Sequence, residues 1–587
     1  MHLNLIRSRS FAVLAAFALA LPAQAAEIQW NVSHGGDMQV DSNWRTGAKP
    51  AESDYIKIAR KNDAPITLSD DLTATGGNST FSANFELALT NSTGEAKTLA
   101  LKRVTVSGAA TTERLTAGAL SFTDGFYLGS NSISDSGETF FVDGQTAALT
   151  GTSLVSVGPK CPDSTMIVTN GASLTGAELY VGRESRQFGT AWATNECLLV
   201  SGAGTVAGFT KEAVVGCAGG NRIEVSDNAE MTVAAINIGH CSHLSDTTSL
   251  GVGEARIVVS GGASLTVTNG ASVVGQHTRS NLLAVVDGGR LVCVTNQLRV
   301  GNNVQASQTF AALSPGYVLS GNRMLVSGAG SSVTLHGSSN AGIWIGSAVA
   351  PDCSVVVENG AQWTSRGVFK MADAAVTNAS VLVATGASLV HGESHIYVGT
   401  GDASTNATFT IDGGTVTTED GYGVVVRSRS GRLVVANGGK ATVGGDVRIG
   451  VASGGQTYPD ARLSLCGTSS AVSVGGTLQL GETGTFAVEI PVGGFSDGAP
   501  PVTCKALSLD GSSAVAVTLE EGWKDATPGT RRIVLVEAEE SISVPNGFSF
   551  DLPADTPEIK VTRDATNAKQ LAVNVKVAAG AMVICIR

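Results

Sequence analysis

Between Arg256 and Gly275 apolar and polar residues alternate in three short bursts. Ile257 and Val259 alternate with Val258 and Ser260. After Ser260-Gly261-Gly262, Ala263, Leu265 and Val267 alternate with Ser264, Thr266 and Thr268. After Asn269-Gly270, Ala271 and Val273 lead into Val274-Gly275. Alternation at period two predicts strands, and the Gly and Asn-Gly pairs predict turns. A polar loop of varied length closes the unit.

The unit recurs from about Phe140 to Gly484. Its first turn returns as Ser201-Gly202, Asp287-Gly288-Gly289, Ser327-Gly328, Thr385-Gly386, Asp412-Gly413-Gly414 and Asn437-Gly438-Gly439. Its closing apolar-Gly pair returns from Leu128-Gly129 and Val157-Gly158 through Val300-Gly301, Ile345-Gly346 and Val398-Gly399 to Leu480-Gly481, at steps of 23 to 53 residues. The two longest steps each hide a unit without its glycine, near Phe369-Lys370-Met371 and Val425-Val426-Arg427. That leaves about 13 units of 23 to 45 residues. A period in this range predicts a solenoid, a propeller or an array. Most units are too short for a four-stranded blade, and their number exceeds the four to eight blades at which propellers typically close. The expectation is an all-β fold: a parallel β-helix solenoid of about 13 or more coils. One coil cannot bury its apolar face alone, so stacked coils share a core of Val, Ile, Leu and Ala while Ser and Thr face water. Asn170, Asn269 and Asn359 are expected to recur at one corner of the coil. Either they stack as a side-chain ladder or they serve only as turn residues with positive φ.

Composition agrees. Gly stands at 72 of 587 residues, about twice ordinary usage, while Pro is only 15. At 43% apolar the chain is too hydrophobic for disorder. Residues 1–25 read as a secretory leader: Arg7 and Arg9, an apolar run from Phe11 to Leu21, and an Ala23-Gln24-Ala25 cleavage site. The run is too short to span a bilayer comfortably, and no other stretch reaches the ~18 apolar residues a span needs. Net charge is −12, and −14 once a leader with two arginines and no acid is removed. An acidic chain without a basic cluster argues against nucleic acid and against anionic membranes. Export permits disulfides among the nine cysteines, whose odd number leaves at least one unpaired in a monomer.

The flanks differ from the array. Residues 26–139 have weaker repeats and are expected to form an N-terminal cap and the first coils. From 485 to 587 the pattern breaks into strands at Ala514 to Leu519, Arg532 to Glu537 and Gln570 to Val577, expected to form a small C-terminal β cap. The end, Ala581 to Arg587, is apolar and ends in a base; it reads as a last cap strand or as a sorting tail, its apolar run too short to span a bilayer.

Trp30, then Asp41-Ser42-Asn43-Trp44, Gly47, Pro50 and Asp54, together with the repeated V-S-G-G-A-x-L-x-V and V-G phrases, resemble bacterial autotransporter-passenger-like and extracellular β-helix repeat proteins. The resemblance covers most of the mature chain. It implies a right-handed β-helix at or beyond the cell surface, with adhesive or structural roles. The chain departs from the full autotransporter plan, because only about 100 residues follow the array and they lack the aromatic girdles of a translocating barrel.

Chemistry-bearing motifs are sparse. Glycoside hydrolysis needs two carboxylates across a cleft, but the acids here lie scattered in loops and turn corners, such as Asp287 and Asp412. No phosphate loop, nucleophile elbow or calcium nonapeptide appears, and no motif calls for a cofactor. Two clusters stand out. Cys217 follows Gly216 as His240 follows Gly239, which places Cys217, His240, Cys241 and His243 in neighbouring coils. They read as a metal site, a Cys217–Cys241 disulfide, or unrelated loop residues. His391-Gly392-Glu393-Ser394-His395 puts His391, Glu393 and His395 at alternate positions. On a strand these would share a face as an acid/base or metal-like group; on a loop they would be solvated. The expected function is a non-enzymatic surface or extracellular protein acting in adhesion, matrix or envelope structure, with polysaccharide or surface protein as partner. The alternatives are a carbohydrate-active β-helix lyase or hydrolase, and a periplasmic scaffold.

Overall fold

The structure is a computed structural model and describes residues 25–129, 136–182, 193–216, 218–240, 253–294, 297–301, 320–338, 341–347, 350–373, 376–400, 403–453, 456–495, 499–544, 549–564 and 568–578. The expected leader and the apolar end lie outside these residues, Ala25 excepted.

The alternating segments fold as strands, each paired in parallel with the same segment of the next coil. In the unit read above, the strands are Arg256–Val259, Ser264–Val267 and Ser272–Val274. They pair forward with Leu282–Val286, Arg290–Cys293 and Leu298–Val300. Three parallel ladders result. The first runs from Gly36–Asp37 to Ser549–Asp551 and is 19 strands deep. The third, from Glu27–Gln29 to residues 541–543, is equally deep. At about 4.8 Å per level the stack is a rod of about 86 Å. The fold is a parallel β-helix solenoid.

The core is built from columns of like residues. Phe140, Met166, Leu198, Ile223, Ile257 and Leu283 stack in register on the first ladder, beside Val142, Val168, Val200, Val225, Val259 and Val285. All are buried. Each such side chain contributes about 1.5–3 kcal/mol of burial, so stability grows coil by coil. The closing glycines turn the chain where no side chain fits. At Gly275 φ is +82°, and an added Cβ would lie 2.1 Å from the Asn322 side chain.

That asparagine belongs to a polar column inside the corner before the first ladder. The Ser164 N–H donates to Glu196 Oε2 at 3.0 Å, and the Glu196 N–H to Asn221 Oδ1 at 3.0 Å. The Ala255 N–H donates to Asn281 Oδ1 at 3.2 Å, and the Asn281 N–H to Asn322 Oδ1 at 3.1 Å. Each side chain satisfies a backbone donor of the coil before it, which a buried corner requires.

The exposed asparagines behave otherwise. Asn170 and Asn359, both at φ +57°, follow first-ladder strands. Their amides reach one coil back, to Asp143 Oδ1 at 2.7 Å and Ser327 Oγ at 3.0 Å. Asn269 follows a second-ladder strand and sits at a different corner, so the three do not stack. The position equivalent to Asn170 in its coil is Gly261, just beyond Arg256–Val259.

Both ends change pattern. Trp30 and Trp44 form an antiparallel bridge, their rings edge-to-face at 5.0 Å, both buried. Their indole N–H groups donate to Asn62 Oδ1 at 3.1 Å and the Met38 carbonyl at 2.8 Å. At the other end, parallel pairing runs on past Gly484 through Thr485–Ile490, Ala514–Leu519 and Ser549–Asp551. Gly529–Ser543, Gln570–Val577 and Ile559–Asp564 then form an antiparallel sheet.

Candidate ligand-binding face

The His391 to His395 residues do not converge. Ser388–Gly392 is a second-ladder strand on which Ser365, His391 and Thr418 stack in register, facing inward. His391 is fully buried, its Nδ1 3.0 Å from Ser365 Oγ and its ring edge-on to Phe369 at 5.4 Å. Burial lowers its pKa to about 4, so it is neutral at physiological pH. The strand ends at Gly392, and Glu393, at φ +64°, breaks the alternation that would have aligned the three. Glu393 is exposed and pairs with Arg366 Nη1 at 3.3 Å; Arg366 Nη2 holds Glu419 at 3.3 Å. His395 lies beyond the turn, its Nδ1 accepting the Gly423 N–H at 2.7 Å.

Of the other cluster, Cys217, Cys241 and His243 lie outside the described residues. His240 contacts Gln276 Oε1 through Nδ1 at 2.8 Å and packs on His277 at 5.0 Å. A register shift sets it opposite Gly216. Among the described residues no three His, Cys, Asp or Glu gather to hold a metal. Cys161, Cys197, Cys293, Cys353, Cys466 and Cys504 are free thiols. Burial pushes Cys293 and Cys353 up to about 12, far from the thiolate that reacts.

Among the described residues of the N-terminal half, Glu113, Glu138 and Glu196 are buried. Glu113 occupies the inward column between Phe85 and Phe140. Glu138 accepts from the Ser164 hydroxyl at 3.1 Å. Burial raises the Glu113 carboxyl to about 8, with Glu138 adding to the rise, and raises Glu196 well above the carboxylate range. These sealed acids are part of the packing.

The outer side of the third ladder is chemically richer. Arg299, Trp344, Lys370, Tyr397, Val425 and Arg448 occupy one outward column, in register. All but Val425 are part-exposed. The Arg299 guanidinium lies 4.8 Å from the Trp344 ring centroid and the Lys370 ammonium 5.0 Å from the same ring. Such contacts are worth about 0.5–2 kcal/mol each. Arg299 also donates from Nε to Gln297 Oε1 at 2.9 Å. His395 packs edge-on to Tyr397 and Tyr422, at 5.9 and 6.2 Å. Burial and the charges of Arg448 and Arg427 lower its pKa. Arg448 is neutralised by Asp446 at 2.8 Å.

No pair of acids marks this column in the sequence, but its signal is plain once units are aligned. Its members precede the closing apolar-Gly pair: Arg299 before Val300-Gly301, Trp344 before Ile345-Gly346, Tyr397 before Val398-Gly399 and Arg448 before Ile449-Gly450.

No protein-family model and no curated protein matches the chain. Among solved structures it is similar to the TibC-catalyzed hyper-glycosylated TibA55-350 fragment. The identity is 15% and the TM-score 0.30, over 69% of this chain and 98% of that one.

Proposed function

We propose that the chain is an exported, surface-displayed β-helix of the adhesin type, a rigid rod whose decorated outer side meets a ligand. The observation that carries this reading is the uninterrupted parallel stack, 19 strands deep on two ladders. Nearly all of its inward positions serve one continuous core. A fold that repeats one coil gains reach and an extended lateral surface. The leader read at residues 1–25 and the resemblance of the Trp30 and Asp41 to Trp44 motifs to extracellular β-helix proteins agree with export. The residues suited to acid/base work lie apart, and His391 is sealed in the core.

The test is protease accessibility on intact cells of the bacterium that makes the chain. The rod is expected to be cleaved or shed by external protease while a cytoplasmic marker stays intact. Protection in intact cells, with cleavage only after the outer envelope is opened, would place it in the periplasm and refute surface display.

A further inference from the structure

We propose that the outer side of the third ladder between Arg299 and Arg427 binds an acidic polysaccharide laid along the rod axis. This rests on the surface-rod reading and names the ligand class of the decorated side.

The argument begins with spacing. Arg299, Trp344, Lys370 and Tyr397 stand on four successive coils, and Arg427 follows the strand Val424–Val426 of the fifth. The Arg427 charge acts on His395, whose ring packs on Tyr397, so Arg427 stands beside this column. The order along the rod is therefore cation, ring, cation, ring, cation. Cations recur every second coil, about 9.6 Å at 4.8 Å per level. An extended glycan whose repeat is one acidic and one neutral sugar presents its anions over a comparable length.

Charge supplies the second step. Among the described residues neither Lys370 nor Arg427 has a carboxylate within ion-pair range. Arg299 is hydrogen-bonded to neutral Gln297, with Asp373 the acid near enough to influence it. Trp344 holds Arg299 and Lys370 through its π faces. A ring fixes a cation without cancelling its charge, whereas a salt bridge would cancel it. Among the described residues the result is a row of cations without ion pairs, two of them positioned by Trp344, on a chain of net charge −12. Acids were available in number, 50 Asp and Glu, and cations elsewhere pair with them, as Arg366 does with Glu393 and Glu419.

The third step concerns the rings. Tyr397 and its neighbour Tyr422, with His395 between them, form a part-exposed aromatic edge beside the cations. Aromatic faces suit the apolar C–H faces of sugar rings. His395 Nδ1 is occupied by the Gly423 N–H, so the ring proton sits on Nε2 as a donor for a hydroxyl. Single-stranded nucleic acid also pairs rings with cations, but it needs a continuous basic track along its phosphates. Here the cations without an ion pair occupy only alternate coils from Arg299 to Arg427, and Arg448 on the next coil is paired with Asp446.

The experiment is calorimetric titration of the purified chain with four probes: hyaluronate, heparin, dextran and single-stranded DNA. Hyaluronate or heparin is expected to bind, with affinity falling as salt rises, and their ratio tells carboxylate from sulfate recognition. Lys370→Gln and Arg427→Gln are each expected to weaken binding about tenfold, the loss typical of one charged hydrogen bond. Trp344→Leu keeps every charge but frees Arg299 and Lys370, and is expected to weaken binding about fivefold. Trp344→Phe restores most of it. Far-UV circular dichroism checks that each variant keeps its fold. Equal binding of dextran, tighter binding of DNA, no binding of any probe, or affinity indifferent to all three variants overturns the proposal. Protease accessibility on cells separates the two readings. A surface-exposed chain that ignores acidic glycans refutes the ligand alone; a chain that binds them but is protected refutes the location alone.

Discussion

Glu113 is the residue whose removal should strengthen this protein. It replaces an apolar side chain in the inward column between Phe85 and Phe140, it is fully buried, and neither carboxyl oxygen makes a hydrogen bond of good geometry, the nearby Thr111 hydroxyl offsetting burial only in part. Burial lifts its pKa from 4.5 to about 8. Between those values the carboxyl is protonated in the fold and ionised in the unfolded chain. Unfolding then releases a proton, so stability falls as pH rises through the window and levels off above it. At 1.36 kcal/mol per unit the full effect is about 5 kcal/mol. Between pH 6.5 and 8 it is about 2 kcal/mol. Glu113→Gln keeps the shape and removes the titration. The test is urea unfolding of both proteins at several pH values, followed by circular dichroism, with hydrogen exchange of Thr112 to Leu115 as a local readout because a long array need not unfold in one step. The variant is expected to gain about 2 kcal/mol on the natural chain between pH 6.5 and 8. A difference between the two that stays constant with pH refutes the reasoning. Glu113→Leu should do better at every pH, since it replaces a buried acid by a side chain that continues the column.

His391 has the opposite sign. Its pKa is lowered from 6.5 to about 4, so its contribution is complete above pH 6.5 and lost as pH falls toward 4, about 3 kcal/mol in all; His391→Gln should flatten that acid limb in urea melts. Trp44→Ala empties a fully buried site and should cost about 3–5 kcal/mol, speeding hydrogen exchange in Glu27–Gln29 and Tyr55–Ile58 while leaving Ser388–Gly392 unchanged, because coils feel only their neighbours. Cys293 and Cys353, buried and held at about 12, should resist iodoacetamide in the native state and react once unfolded; rapid native labelling would contradict their place in the core.

The solenoid was legible because its physics repeats. Each coil must alternate apolar and polar residues and must turn at positive φ, so the Val-x-Val bursts and the closing glycines recur whatever else varies. Depth was less legible, because those glycines mark corners and not pairing. The pair at Leu480-Gly481 is the last, yet Thr485–Ile490 still pairs in parallel with Ala514–Leu519, since a ladder needs only alternation. Asn269 looks like Asn170 and Asn359 in the sequence because all three stand at a turn, but similar turns occur at each corner of a three-sided coil, and composition does not say which. The same limit hid the end of the strand at Gly392: His391, Glu393 and His395 alternate in sequence, and only the φ of Glu393, +64°, shows that the pleat has stopped. The outward column of Arg299, Trp344, Lys370 and Tyr397 was hidden for a different reason. Its residues lie 26 to 45 positions apart, and none is unusual in its own unit. They become a surface only when the stack brings successive coils to strand spacing. In a solenoid, then, core residues are recognised along the chain and ligand-facing residues across it, after the units have been aligned on their corners.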